Sequence, residues 1–172
     1  MISQPNENKT DFIVVVGMHR SGTSLVANIL REAGFFVGRD EDLIRPDRWN
    51  EKGYFEKWDV YRLNEEILQD AGGSWFNPPQ QMRILEQDRR DSIKHILSRF
   101  KDRGPSLIKD PRLCLTLPLW IPHLNGRVRI VWVLRSSRAV AASLQKRDGL
   151  PCWRGRELWR VYNQRAMLAT RG

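Results

Sequence analysis

Phe12-Ile13-Val14-Val15-Val16-Gly17-Met18-His19-Arg20-Ser21-Gly22-Thr23-Ser24 carries the strongest structural signal in the chain. Its first five residues form a continuous apolar run rich in β-branched side chains. Such a run suits a strand buried on both faces of a parallel sheet. A glycine-bounded loop follows. Leu25, Val26, Ile29, Leu30 and Ala33 then recur at helical spacing, with Gly34 as a stop signal. Strand, tight loop and helix in this order supply the context that G-x-x-x-x-G-x-S/T needs to cradle phosphate. The glycines permit backbone conformations that other residues resist. The loop N–H groups and the positive end of the helix then converge on an anion, and the Thr23 and Ser24 hydroxyls add donors.

The loop departs from that of a nucleotide triphosphatase. There a lysine precedes the final Ser/Thr and reaches the β- and γ-phosphates. Here Thr23 holds that position, and the cation of the loop is Arg20. This argues against an ATP or GTP hydrolase.

Outward from the loop, residues 38–55 read as irregular and charged, with Pro46 and Gly53 as breakers. A helix is predicted over 56–71, with Val60, Leu63, Ile67 and Leu68 on one face and Gly72-Gly73 ending it. A second is predicted over 81–101, carrying Leu85, Ile93, Ile96, Leu97 and Phe100. Short strands are expected at 106–108 and 128–134, and helices at 137–147 and 155–169. Strands alternating with helices predict an α/β fold with a parallel sheet flanked by helices. Three strands are few for such a fold, and the chain stops just after a helix. Truncation at the C-terminus is therefore expected, with a disordered lead-in over 1–11 and one domain over 12–172.

The chain of 172 residues is long enough for one hydrophobic core. Its net charge of +9 lies in one segment: residues 127–172 hold eleven Lys/Arg against two Asp/Glu, and the rest is neutral. Such a basic third fits nucleic acid, an anionic membrane surface, a polyanionic small ligand, a missing acidic segment or an ordinary solvated helix face. No apolar run approaches the roughly 20 residues that cross a bilayer, and the N-terminus lacks a secretory pattern. The cytoplasm is the expected compartment. Cys114 and Cys152 have no metal-ligand spacing and read as reduced structural thiols. His19, His95 and His123 form no metal cluster, and no metal site is expected.

Val131-Trp132-Val133-Leu134-Arg135 ends a predicted strand on a cation, with Arg138 and Ser143 beyond it. Ligands of open parallel sheets gather at the carboxyl ends of strands, so Arg135 is expected on the edge that carries the glycine loop. A guanidinium grips phosphate bidentately and a hydroxyl adds a donor.

Taken together, Gly17–Ser24 and the later stretch from Val131 to Leu144 resemble the PAPS-dependent sulfotransferase family, where PAPS is 3′-phosphoadenosine-5′-phosphosulfate. Asn50, Gly53-Tyr54-Phe55-Glu56 and Lys109-Asp110-Pro111-Arg112 are similar to segments of its bacterial, carbohydrate-type members. The resemblance spans about residues 12–169. It implies that His19, Arg20, Ser21, Gly22, Thr23 and Ser24 hold the 5′-phosphosulfate, and that Arg135 and Ser143 hold the 3′-phosphate. Many members carry lysine where Arg20 stands, and members usually continue past the last helix into another strand.

The implied reaction moves a sulfuryl group from PAPS to a hydroxyl or amine of a carbohydrate-like or small acceptor by in-line displacement, by analogy with phosphoryl transfer. Glu56 is the candidate base, with His19 and Asp59 as rivals. Lys109 and Arg20 are candidates for stabilising charge on the departing phosphate. Arg112 is placed either on the acceptor or against Glu56. The competing readings are a module that holds PAPS or its desulfonated product PAP without turnover, a small-molecule P-loop kinase, and a nucleic-acid binder. The kinase lacks its lysine. The nucleic-acid binder lacks interleaved aromatics.

Overall fold

The structure is a computed structural model that describes residues 10–171. Of the lead-in expected over 1–11, residues 1–9 lie outside the described residues. The rest is an α/β fold around a parallel sheet of three strands: β1 (Phe12–Val16), β2 (Ser106–Lys109) and β3 (Val128–Trp132). The spatial order is β2-β1-β3, with Val14 opposite Ile108 on one side and Ile130 on the other.

The central strand explains its own composition. All five of its residues are buried, and their alternation splits them between two clusters. Phe12, Val14 and Val16 pack into the larger one, with apolar side chains of five helices. These are α2 (Trp58–Asp70), α3 (Gln87–Ser98), α4 (Leu113–Trp120), α5 (Ser137–Asp148) and α6 (Cys152–Ala169). Ile13 and Val15 face the smaller cluster, which α1 (Thr23–Glu32) closes through Ala27, Val26 and Leu30. A strand covered on both sides must be apolar on both sides, and each fully buried large aliphatic side chain contributes about 1.5–3 kcal/mol.

Several boundaries differ from the sequence reading. The helix predicted over 81–101 starts only at Gln87, because Glu86 is extended (φ −63°, ψ 162°). The segment Leu113–Trp120 is a helix that periodicity could not reveal. It is apolar nearly all round, contains Pro118, and buries Leu113, Cys114, Leu115, Thr116, Leu117 and Trp120. A helix whose side chains are nearly all apolar has no polar face to set a period. It is tied to α2 inside the core, where the Asn64 side-chain oxygen accepts from Thr116 Oγ1 (2.8 Å) and Trp120 Nε1 (3.0 Å). Cys114 is buried, Cys152 is half-buried, and neither forms a disulfide. Among the described residues, no helix is long and apolar enough to cross a membrane, and no group of three or more His, Cys, Asp or Glu side chains is placed to hold a metal ion.

Candidate functional site

The carboxyl ends of the three strands open onto one cavity of about 220 Å³. The glycine loop leaves β1 there and enters α1. Gly17 has no alternative: a Cβ would sit 2.7 Å from the Val133 carbonyl oxygen and 2.8 Å from Thr23 Cγ2. Gly22, the residue before α1, is left-handed at φ 96°. Arg20 is also left-handed, at φ 67°. For a residue with a Cβ this conformation costs about 1–2 kcal/mol.

The Arg20 guanidinium spans the cavity wall. Nε donates to Ser143 Oγ at 2.8 Å, and Nη1 donates to the Trp49 carbonyl at 3.1 Å. From the end of β3, Arg135 Nη1 reaches back to the Arg20 carbonyl at 3.0 Å. Trp159 Nε1 in turn donates to the Arg135 carbonyl at 2.8 Å, which ties α6 to this rim. The two motifs predicted to meet therefore do meet, through three named side chains.

The floor is a buried ion pair. Lys109, at the end of β2, has its Nζ on Glu56, and both side chains are almost wholly buried. The same ammonium donates to the Tyr54 carbonyl (3.0 Å) and Ser24 Oγ (3.2 Å). Asn50 Nδ2 adds a bond to Ser24 Oγ at 3.0 Å. The segment 49–56 is thus strapped to the start of α1.

Eight of the ten candidate residues line this cavity: His19, Arg20, Gly22, Thr23, Ser24, Glu56, Lys109 and Arg135. Ser143 reaches it through Arg20. Ser21 is buried beside it, and its Oγ has no hydrogen-bond partner among the described residues. His19 is 8% exposed, its ring tilted against Trp75 at 4.8 Å between centroids, and its Nε2 is likewise unpartnered. Burial first, then the neighbouring Arg112, Arg147, Lys109 and Arg20, hold its pKa well below the ordinary value of 6.5. The ring is neutral at neutral pH.

Other residues lie elsewhere than the sequence suggested. Arg112 is committed to Glu65 and to Asp110 Oδ1 (3.2 Å), so it neither pairs with Glu56 nor waits for an acceptor. Asp59 pairs with Lys57 (3.3 Å) and Arg99 (3.1 Å), away from the cavity. Asp110 is enclosed, and its acidity shifts to about 6, above the ordinary 3.8, because burial disfavours its charge and Arg112 offsets only part of that. Arg138 is exposed. Arg147 is an addition to the site: it lines the cavity from α5, one turn beyond Ser143. That four-residue spacing, which places both on one helix face, was its only sequence signal.

The cavity is lined by Arg20, Lys109, Arg135 and Arg147 and by one carboxylate, Glu56; Lys109 pairs with Glu56 and Arg147 with Asp148, which leaves Arg20 and Arg135 without a carboxylate partner among the described residues. This excess of cations, with loop hydroxyls beside it, is chemistry for a multiply charged anion. Comparison of the chain with family models, with curated proteins and with solved structures finds no match.

Proposed function

We propose that this chain is a sulfotransferase that takes PAPS as donor and passes its sulfuryl group to a hydroxyl or amine of a carbohydrate-like or small acceptor. The observation that carries the reading is the convergence of the loop motif with the β3 motif: Arg20 on Ser143, and Arg135 on the Arg20 carbonyl. A donor with phosphate at both ends of an adenosine needs two anion grips on one sheet edge. The donor set fits such a ligand, since Ser21 Oγ and His19 Nε2 are buried without partners beside four cations. A buried unsatisfied polar atom costs about 1–3 kcal/mol, and a ligand oxygen relieves it.

In this reading the acceptor oxygen or nitrogen attacks sulfur as the bond from sulfur to the phosphate oxygen breaks. The acceptor's proton passes to the Glu56 carboxylate. Lys109 and Arg20 offset the charge that builds on the departing phosphate. A positioned base contributes about 10²–10⁴ in rate, and one preorganised donor roughly 3 kcal/mol.

A second reading has one observation in its favour. Glu56 is neutralised by Lys109 in a buried pair, which suits a module that binds PAPS or PAP without turnover. Titration calorimetry and a turnover assay separate the two. PAP is expected to bind, with ATP much weaker. Arg20→Ala abolishes PAP binding and Arg135→Ala weakens it about ten- to a hundredfold, the worth of a lost charge-assisted hydrogen bond. Equal affinity for ATP, or indifference to both substitutions, overturns the site. Tight PAP binding with no turnover of PAPS on any acceptor favours the binding module.

A further inference from the structure

The last helix has a second face that the cavity does not use. Every exposed residue of α6 falls on one stripe: Trp153, Arg156, Arg160, Gln164 and Leu168. Steps of three, four, four and four residues keep these side chains on one line, about 22 Å long at 1.5 Å per residue. The opposite face is anchored by Gly155, Leu158, Tyr162 and Ala166. Gly155 lies so close to α5 that a Cβ would be 2.9 Å from the Ala141 Cα. The stripe is therefore presented by a fixed helix.

Its charges are unspent. The two carboxylates of residues 127–172 are both engaged, Asp148 by Arg147 at 2.8 Å and Glu157 by Arg154 at 2.6 Å. Arg156 and Arg160, with Arg138 and Lys146 on neighbouring α5, form no ion pair among the described residues. The apolar ends are equally open, with Trp153 69% and Leu168 57% exposed. Cations flanked by an exposed indole and an exposed aliphatic side chain match an anionic lipid headgroup layer. There the arginines meet phosphates, and the indole places its ring at the interface with its N–H in the wet zone. Nucleic acid fits less well, because the stripe carries a single aromatic residue and bases need several to stack on.

We propose that the outer stripe of α6 docks this protein peripherally on an anionic membrane surface. The proposal is independent of the donor chemistry in the cleft. Co-sedimentation of the full chain with vesicles tests it, using equal parts phosphatidylcholine and phosphatidylglycerol against phosphatidylcholine alone. Binding is expected only to the anionic vesicles, and to fall with added salt. The pair Arg156→Glu and Arg160→Glu should weaken it at least about tenfold, since each basic residue near such a surface counts. Trp153→Ala should weaken it as well, although the charge is unchanged. These side chains are exposed, so thermal melts should match the unmutated chain, and Arg160→Gln serves as a milder variant. No sedimentation with anionic vesicles, or undiminished sedimentation of the doubly reversed chain, overturns the proposal. It is equally overturned if Trp153→Ala has no effect while single-stranded DNA competes the protein off the vesicles, for the face then reads charge alone.

Discussion

Arg20 Nε sits 2.8 Å from Ser143 Oγ although 123 residues separate them. This bond joins the turn after the central strand to the helix after the third. Arg20 makes it from a left-handed backbone (φ 67°). Ser143→Ala removes the acceptor and leaves a half-buried guanidinium N–H without it. We expect a stability loss of about 1–2 kcal/mol by denaturant titration. A roughly tenfold loss of PAP affinity by calorimetry should accompany it, because the cation is no longer held in place. Unchanged values for both would mean that the contact does not organise the site.

The Glu56–Lys109 pair makes a sharper prediction. Removing one member of a buried ion pair leaves the other charge uncompensated, at a cost of about 3–5 kcal/mol. Glu56→Gln should therefore lower the melting temperature as well as cut turnover at least about a hundredfold. Adding Lys109→Met to Glu56→Gln should restore part of the lost stability but none of the turnover. Stability returning in the double variant shows the coupling, and strict additivity of the two losses would exclude it.

The two loop glycines should respond differently to alanine. At Gly17 the new Cβ meets the Val133 carbonyl oxygen and Thr23 Cγ2 below 3.0 Å, so β1, β3 or α1 has to shift. At Gly22 the space is open and only the positive φ resists. Gly22→Ala is expected to cost about 1–2 kcal/mol. Gly17→Ala should cost at least as much, about 1–3 kcal/mol for overpacking, and should also disturb ligand affinity by moving the loop. Chemical denaturation of both variants provides the comparison.

Two buried groups give the stability a pH dependence of opposite signs. Asp110 keeps its proton up to about pH 6 in the folded chain and releases it near 3.8 when unfolded. Across that window the native state binds more protons. Stability from this group is full below 3.8 and falls as pH rises to about 6, by on the order of 2–3 kcal/mol. His19 acts the other way. Its lowered pKa means that the unfolded chain takes up a proton the folded chain refuses, so stability falls as pH drops below 6.5. Urea titrations from pH 4 to pH 7 should find Asp110→Asn least favourable relative to the unmutated chain at pH 4. His19→Phe should remove the loss on acidification. A pH-independent difference in either comparison contradicts the burial argument for that residue.

The parts whose physics is local could be read directly from the order of residues. Five apolar residues before Gly17 form a strand covered on both faces, and glycines at 17 and 22 mark the turn that follows it. The helical periods of α1, α2 and α5 are also legible, because each has a polar face to contrast with its buried one. Arg135 at a strand end could be assigned to the edge of the loop because parallel strands share an orientation. Local pairs such as Arg154 with Glu157 follow from helical spacing, but the long-range pairs were set by the packing of the fold. With 29 basic and 20 acidic side chains in the chain, nothing in their order says that Glu56 takes Lys109, or that Arg112 takes Glu65 and Asp110. That choice depends on which side chains are desolvated together once the strands and helices have packed. The same holds for α4, whose apolar surround erases the period that would betray it, and for Arg147, whose place in the cavity follows from how α5 lies against the loop. Local backbone preference and hydrophobic pattern are written residue by residue, whereas burial and long-range charge pairing are properties of the packed chain.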